Sequence, residues 1–541
     1  MKQVFKIFLH TRMIISEIHL LSLKTNNCKQ MKIILFLSLC LISTISFGKN
    51  LNIIDLGAVG DGKTLTTESI QKAIDQCAES GGGTVSVPPG TYLTNTIFLK
   101  SGVNLYVKKG ATILGDTNPD AFTKAIIYAD GIEDAAITGE GIINGQGFAK
   151  DFPKDGKRHS DIYMIKCKNM TVSDVNLLNA PSWVFIIKEC NWVMVQGIRI
   201  YSYANQNNDG IDVDSKNVTI SDCIIDCGDD AICLKSDNPD FIVENITITN
   251  CILGTNCNAI KFGTSSYCGF RNVNINNCVI RWPSAAAKIP PRSTLKGCEL
   301  DTIMEAGLAL EVVDGGFMDQ VVINNISMTG IQTPLFIRLG NRRGIGTLKN
   351  VLISNITATD ETMLNSSITG IPGSYVENVI IRDFIFTSKG GGTMIEAMAE
   401  VPEKVDCYPQ TNVVFGYSVP AYGMYVRHVK NLVMENFIFN LRLSDARPAV
   451  MLDDCHNIRL RNFDVDAPTN NQPLIRMKQS TNITVSGYQS VEPISNLIKV
   501  EGDLCRDIKV TGNDLSRVNE AVKLSDDCPI SAVKIQNNFL K

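Results

Sequence analysis

Three features of the sequence predict an all-β fold, a single-stranded right-handed parallel β-helix. From residue 167 onward one phrase recurs, in which a polar residue and Asn precede alternating apolar residues and then another Asn or Asp. An apolar alternation with a period of two is typical of strands that bury one face. Most copies of the phrase lie 22 to 28 residues apart, and this spacing indicates stacked coils. A leucine-rich repeat has a similar period, but it requires Leu ladders and helices that this sequence lacks.

The leading Asn of each phrase is predicted to have a structural role. We expect these side chains to form an internal ladder that satisfies the turn backbone, and not to bind a ligand. The positions are Asn169, Asn191, Asn217, Asn245, Asn272, Asn350, Asn378, Asn431, Asn457 and Asn482.

The segment before the repeat predicts an N-terminal capping helix at residues 67–80. Ile70, Ala73, Ile74 and Cys77 share one helix face, and the three glycines at 81–83 end the helix. An amphipathic helix of this kind covers the open end of a coil stack, where strand edges would otherwise be exposed.

Composition and charge exclude several classes of protein. The 541 residues are 44% hydrophobic and 20% charged, which is ordinary for a globular chain. The formal net charge is −4, and it becomes −9 without residues 1–48, which hold six basic residues and one acidic residue. A nucleic-acid partner is disfavoured, because nucleic acids are negatively charged and bind proteins through positive charge.

Residues 31–48 predict export. One Lys precedes an apolar run that is followed by small residues, and the run is too short for a membrane span. We interpret Met31 as the start of a signal peptide and expect a periplasmic or extracellular monomer that has no membrane contact once the signal is removed. Residues 1–48 are thus predicted to be an extension with the signal, and residues 49–541 a single catalytic β-helix domain.

The repeat also predicts the role of the cysteines. Cys223, Cys251 and Cys278 each fall six residues after a leading Asn, in a slot that holds Ile356 and Phe384 in later coils. A slot that accepts Ile and Phe is buried, so these thiols are predicted to stack inside the coils. The spacing of the 17 cysteines does not indicate a disulfide framework or a zinc site.

One acidic segment departs from the repeat. NNDG at 207–210 and GDDA at 228–231 place Asp209 about one coil before Asp229 and Asp230. Coils stack about 4.8 Å apart, so we expect the three carboxylates to converge on one face, with no basic residue inside either motif. Repulsion raises one pKa and creates an acid beside a base, as glycosidic hydrolysis requires. Asp-Gly turns and a calcium site are the alternatives for such a cluster.

These motifs resemble glycoside hydrolase family 28, the polygalacturonase-type pectinases. NNDG is similar to that family's Asn-Thr-Asp-Gly motif, and Gly228-Asp229-Asp230 to its Gly-Asp-Asp motif. Lys235-Ser236 resembles the Lys-Ser that follows, and DLGAVGDG at 55–62 and LLNAPSW at 177–183 match further features. The resemblance covers roughly residues 50 to 480.

The resemblance implies a pectin lyase-like solenoid and an inverting mechanism. Asp229 is implied as the general acid, and Asp209 and Asp230 are implied to orient and deprotonate the attacking water. The same resemblance implies no metal and no cofactor.

Two departures from the family motifs alter the expected substrate contacts. The family's Gly-His-Gly is absent from residues 257–264, and its Arg-Ile-Lys aligns with Ala309-Leu310-Glu311. We expect Lys261, between two buried residues, to face an acidic sugar, and Arg338 to be a candidate carboxylate ligand. The predicted substrate-binding residues are Asn207, Lys235, Lys261, Glu311 and Arg338.

The predicted function is hydrolysis of an α-galacturonosyl-type linkage in a pectic polysaccharide or oligosaccharide. The segment 396–429 interrupts the repeat, so we expect it to form a cleft wall that favours exo-action. Two alternatives remain open: a calcium-dependent pectate-lyase-type eliminase, and a non-catalytic carbohydrate-binding or adhesion protein.

Overall fold

The computed structural model describes residues 48–153, 156–285, 302–489 and 492–540. Apart from three short α-helices and three 3₁₀ turns, its regular structure is β. The helices are α1 (Thr67–Glu79), α2 (Met394–Ala397) and α3 (Thr411–Phe415), and the 3₁₀ turns are Ile53–Leu56, Pro119–Ala121 and Ile530–Ala532.

The strands follow one another in short coils from one end of the described chain to the other. In the first part they are β1 Lys49–Asn52, β2 Asp61–Leu65, β3 Gly83–Val87, β4 Gly90–Thr94, β5 Ile97–Phe98, β6 Val103–Val107, β7 Ala111–Gly115, β8 Ala125–Asp130, β9 Ala136–Thr138, β10 Ile142–Asn144, β11 Ser160–Ile165, β12 Lys168–Ser173 and β13 Asn176–Leu178. In the middle they are β14 Phe185–Gln196, β15 Arg199–Ser202, β16 Ile211–Ser221, β17 Ile224–Cys227, β18 Ile232–Ser236, β19 Val243–Thr249, β20 Ile252–Thr255, β21 Asn258–Ser266, β22 Gly269–Ile280, β23 Met304–Asp314, β24 Phe317–Gly344 and β25 Thr347–Asp360. In the last part they are β26 Ser366–Thr369, β27 Val376–Gly390, β28 Met424–Leu443, β29 Val450–Val465, β30 Pro473–Lys478, β31 Thr481–Ser486, β32 Ile494–Glu501, β33 Ile508–Thr511, β34 Val518–Leu524 and β35 Val533–Gln536.

Each strand pairs in parallel with the strand one coil away. In the sheet that carries the acidic segment, Phe185 of β14 is in register with Ile211 of β16, which is in register with Ile232 of β18. Ile260 of β21 and Leu308 of β23 continue the same row, and all five side chains are fully buried. The predicted right-handed parallel β-helix is therefore confirmed, and its core is a set of such rows.

Helix α1 confirms the predicted cap. It spans Thr67–Glu79, and its buried residues are the four that the sequence places on one face. These residues pack the helix against β1, β3, β5 and β6 of the first coils.

The Asn ladder exists, but its predicted interior position is wrong. Asn245 donates its amide to Asn217, Asn272 donates to Asn245, and each of these residues has a positive φ near 55°. Asn245 and Asn272 are exposed. Asn is favoured here because it tolerates the left-handed backbone at the turn, and its side chain then bonds the next coil along the surface.

The cysteine stack lies where the register predicts it. Cys223, Cys251 and Cys278 are buried, and Cys278 is in register with Ile326 of β24. The same row continues through Ile356, Phe384, Phe437 and Phe463. The cysteines within the described ranges are all free thiols.

The predicted signal peptide lies outside the described residues, except for its last residue, Gly48. Within the part of the chain that the structure describes, no helix has both the length and the apolar character needed to cross a membrane.

We predict that thiol reagents will not label Cys223, Cys251 or Cys278 in the folded protein, because the stack is buried. Cys268 and Cys407 are partly exposed and serve as controls that should react without denaturant. Peptide mapping after labelling, with and without denaturant, measures this. Rapid labelling of the stacked thiols in the folded protein would contradict the register.

Candidate active site

Two stacked turns create the acidic site. NNDG directly precedes β16, and GDDA directly precedes β18. The buried amide of Asn208 donates to the carbonyl oxygens of Ala180 (2.7 Å) and Ser182 (2.8 Å), which fixes the first turn on the previous coil. The second turn is fixed to the first because the Gly210 N–H donates to the Asp230 carbonyl over 2.8 Å. A Cβ at Gly210 would lie 2.5 Å from the Ala231 carbonyl oxygen, so only glycine fits there.

The three predicted catalytic carboxylates converge at this place. Asp209, Asp229 and Asp230 line one cavity of about 190 Å³. An oxygen of Asp230 lies within 4.8 Å of an oxygen of Asp209, and an oxygen of Asp230 lies within the same distance of one of Asp229. The stacking of the two turns, which the 20- and 21-residue spacings predict, produces this arrangement.

Two lysines from neighbouring coil positions enter the acidic group. Lys235 Nζ lies 3.3 Å from Asp209 Oδ2 and 3.3 Å from Asp212 Oδ1. Lys261 Nζ lies 3.1 Å from Asp230 Oδ2, and both of those side chains are almost completely buried. The carboxylates are therefore partly neutralised, although neither motif contains a basic residue.

The environment gives the carboxylates unequal acidities. Burial raises the pKa of Asp209 well above its usual range, and the neighbouring Asp212 and Asp229 carboxylates raise it further. Burial alone would raise the pKa of Asp230 as well, but Lys261 and Lys235 reverse this effect and lower it. The site thus holds two neighbouring carboxylates, Asp209 and Asp230, whose pKa values are shifted in opposite directions.

The lysines stay charged. Burial would lower the pKa of each, but the nearby carboxylates, Asp212 for Lys235 and Asp230 for Lys261, outweigh burial and raise it well above the usual range. Ammonium groups of this kind act as fixed cations and not as proton acceptors.

Carboxylate oxygens here also come close to cysteine sulfurs. Asp209 and Asp230 with Cys233, and Asp229 and Asp230 with Cys257, offer ligand atoms within 4.8 Å of one another. Asp230 belongs to both groups and is already paired with Lys261. A hard cation such as Ca²⁺ prefers oxygen ligands alone, so these groups do not favour it.

The sequence model of the Glycosyl hydrolases family 28 matches residues 77–289, which include all three aspartates. Over that span the chain is similar to glycosyl hydrolases family 28. A probable polygalacturonase of Vitis vinifera is 29% identical over 263 residues, which are 43% of this chain and 53% of the relative. Rhamnogalacturonase A of Emericella nidulans is 31% identical over 206 residues, which are 38% of this chain and 40% of the relative. The chain spans about half the length of these curated relatives.

A solved structure supports the fold. The hyperthermoactive exopolygalacturonase of Thermotoga maritima has a TM-score of 0.57 and 23% identity, and the match covers 72% of this chain and 92% of that chain. At this identity the likeness supports the shared β-helix.

The departures from the family 28 motifs have structural consequences. Glu311 is 1% exposed, it does not line the cavity, and its Oε2 has no hydrogen-bond partner. Burial raises the pKa of Glu311 to about 8, although Lys261 opposes the rise. The structure therefore places Glu311 behind Lys261 and not on the cavity wall.

Arg338 is not brought to the cavity. It is 4% exposed, and its guanidinium donates to Thr369 Oγ1 and to the carbonyl oxygens of Glu403 and Lys404. These contacts hold the interrupting segment 396–429 against the coils. A buried arginine whose donors are used in this way has a structural role, which sequence alone does not distinguish from ligand binding.

The other predicted contact residues line the cavity. Asn207 does so while its Oδ1 accepts a hydrogen bond from Arg158 (3.1 Å), and Lys235 and Lys261 do so beside the aspartates. Sequence reasoning assigned no role to Trp183, Thr264 or Ser265, which also line it. The sequence does contain a reason to consider Trp183 as a site residue, because it ends the LLNAPSW segment that resembles the family.

The interrupting segment contributes to one wall of the cavity, through Tyr408. The Tyr408 hydroxyl accepts a hydrogen bond from Thr264 Oγ1 over 3.1 Å, and the residue is 40% exposed. Tyr422 and Tyr425 are buried and pack the segment. Of these tyrosines, Tyr408 is placed to contact a sugar.

We predict that Lys261→Met will lower the free energy of unfolding by about 3–5 kcal/mol, because it leaves the buried Asp230 carboxylate without its partner. The double variant Asp230→Asn/Lys261→Met should recover most of this loss, since it removes both charges. Denaturant unfolding measures both effects.

Lys349→Met, at an exposed position, is the matched control and should change stability little. If the double variant is as unstable as Lys261→Met, the ion pair does not explain the loss.

Proposed function

We propose that the protein is an exported inverting hydrolase that cleaves an α-galacturonosyl-type linkage in a pectic polysaccharide or oligosaccharide. The observation that carries this proposal is the group of three aspartates in one cavity, in which burial and two lysines give Asp209 and Asp230 unequal acidities. The names of the relatives, a polygalacturonase and a rhamnogalacturonase, support a pectic substrate.

The three aspartates have distinct roles in this proposal. Asp229 protonates the leaving oxygen. Asp230 accepts the proton of the attacking water, because its paired lysine keeps it ionised. Asp209, whose pKa is raised by burial well above its usual range, orients that water. An inverting hydrolase needs an acid that protonates the leaving oxygen and a base that activates the attacking water.

Cations on the cavity wall support an acidic sugar. Lys235, Lys261 and Arg342 all line the cavity together with the catalytic aspartates. Without these positive charges the acidic group would repel a uronic acid carboxylate. The positive charges thus make an acidic substrate compatible with an acidic catalytic group.

The wall formed by the interrupting segment favours exo-action, because it closes part of the cleft through Tyr408. Export rests on the signal sequence at residues 31–48. We propose a monomer that needs no metal or cofactor for this chemistry.

The eliminase alternative is less compatible with the site. Elimination needs a neutral basic residue near the sugar to accept a proton, and both lysines of the cavity are held as ammonium groups. The binding-protein alternative gives no reason for three converging carboxylates.

We predict that Asp229→Asn will slow hydrolysis by ~10²- to 10⁴-fold, because it removes the general acid. An aryl glycoside, whose leaving group needs no protonation, should be cleaved with a smaller deficit. Asp230→Asn should lose activity on both substrates, since it removes the base. Steady-state kinetics with the two substrates measure this.

The control for these variants is Asp222→Asn, which changes an exposed turn aspartate on the same coil. It should keep its activity. If Asp229→Asn and Asp230→Asn also keep theirs, the catalytic site lies elsewhere.

We predict that the first product will have inverted anomeric configuration and no carbon–carbon double bond. Proton NMR during turnover distinguishes inversion from retention, and ultraviolet absorbance detects the unsaturated product of elimination. An unsaturated product whose formation a chelator abolishes would establish the eliminase. Release of single sugars from one chain end, measured by chromatography, would support exo-action, and a ladder of fragments would contradict it.

A further inference from the structure

Arg158 does not line the catalytic cavity, but its guanidinium reaches the turn that carries Asp209. Nη1 donates to the carbonyl oxygens of Pro181 (3.2 Å) and Gln206, and Nη2 donates to Asn207 Oδ1 over 3.1 Å. Pro181 belongs to the turn before β14, whereas Gln206 and Asn207 belong to the turn before β16. One side chain from the residues just before β11 thus joins two stacked turns at the edge of the site.

The contact with Arg158 fixes which way the Asn207 amide faces. An arginine side chain can only donate hydrogen bonds, so the Asn207 atom that it contacts must be the amide oxygen. The amide group is planar, and its nitrogen therefore occupies the other corner. Asn207 is partly exposed and lines the cavity, and among the described residues its side-chain nitrogen has no hydrogen-bond partner. The N–H groups of this amide can therefore donate to a ligand.

The backbone at Asn207 is held in place as well. Its φ is 56°, in the left-handed region that asparagine tolerates better than most residues. Arg158 binds the carbonyl oxygen of Gln206, directly before this residue, and the Asn207 amide itself. A side chain that is held at its backbone and at one amide atom has little rotational freedom to lose when a ligand binds.

The turn has other attachments, and they do not involve the Asn207 side chain. Asn208 donates to the previous coil, and its Oδ1 accepts a hydrogen bond from the Asn205 N–H (2.9 Å). Asn205 Nδ2 donates to the Pro153 carbonyl oxygen over 3.1 Å. We therefore expect the turn to keep its place without Arg158, whereas the Asn207 amide would become free to rotate.

We propose that Arg158 is a positioning residue that turns the Asn207 amide so that its N–H groups donate to an acceptor oxygen of a sugar bound beside Asp209. This rests on the proposed function for the nature of the ligand, whereas the orientation of Asn207 does not depend on it. Hydroxyl and carboxylate oxygens of a sugar both accept such a bond.

The first test needs no ligand. Crystal structures of the unmodified protein and of Arg158→Met are compared, since methionine keeps the apolar stem but has no donors. We expect the Asn207 amide to rotate or to occupy several orientations in the variant, while the carboxylates of Asp209 and Asp230 stay in place. An unchanged Asn207 side chain would overturn the proposal. If Arg158→Met does not fold, Arg158→Lys replaces it, because one ammonium cannot reproduce the fork that contacts both turns.

The second test separates binding from chemistry. Asn207 contacts the sugar and not the reacting atoms, so its loss weakens the bound substrate and the transition state alike. Arg158→Met should raise KM for an oligogalacturonide by about 3- to 10-fold, as expected for one misplaced hydrogen bond, and leave kcat nearly unchanged. Arg199→Met, at an exposed position of β15, is the matched control and should change neither. A lower kcat with an unchanged KM would overturn the proposal.

The third test is a double-mutant cycle of Arg158→Met and Asn207→Ala. If Arg158 acts through Asn207, the double variant should bind substrate no more weakly than Asn207→Ala alone. Losses that add would show that Arg158 acts independently of Asn207, and they would overturn the proposal. Denaturant unfolding of the same proteins distinguishes this coupling from a general loss of stability, which would appear in both backgrounds.

The proposed function can fail without deciding this question. If the unmodified protein cleaves no pectic substrate, calorimetric binding of the oligogalacturonide replaces KM in the cycle. If the oligogalacturonide does not bind either, the two crystal structures decide alone whether Arg158 orients Asn207. An Asn207 amide that rotates in Arg158→Met would then support the positioning role, and one that stays in place would overturn it.

Discussion

The register between neighbouring coils is the constraint on which the rest of the structure depends. Parallel strands about 4.8 Å apart place equivalent residues of successive coils side by side. Asp209 and Asp230 are close because the turns that carry them stack, and the hydrogen bond from Gly210 to the Asp230 carbonyl fixes that stacking. A shift of one residue would turn these carboxylates into the core.

Ion pairs with two lysines stabilise the group of buried carboxylates. Several buried carboxylates would repel one another, and Lys235 and Lys261 arrive from the next positions along the same sheet to balance them. The pairing is uneven, since Asp230 has a close partner of its own whereas Asp209 and Asp212 share one. That unevenness helps to separate the acidities of Asp209 and Asp230, although the two side chains are chemically identical.

Sequence patterns predict the fold well because the repeat is local and strict. The alternation, the period and the slot shared by Cys223 and Phe384 identify the strands, the coils and the buried row. Burial of the Asn ladder was predicted wrongly, because the pattern shows that Asn recurs but not on which side of the turn it points. In the site, the sequence spacing of Asp209 and Asp230 is enough to predict that their carboxylates lie close together. The roles of Arg338 and Arg342 could not be predicted, because the two arginines lie only four positions apart in one strand. Arg338 lies in the regular part of β24 and is buried, whereas Arg342 lies in the bulge that follows and lines the cavity.

The buried row that begins with cysteine has a consequence for how this chain can change. Its side chains become larger along the solenoid, from Cys in the coils near the acidic turns to Ile and then to Phe in later coils. The coils therefore have the same backbone arrangement, but the side chains that they bury in this row differ in volume. Moving a late coil beside the acidic turns would overpack the core, and the reverse exchange would leave a cavity. Despite its repetitive sequence, the solenoid is built of units that are not interchangeable, so duplication or exchange of single coils requires compensating changes in the neighbouring coils.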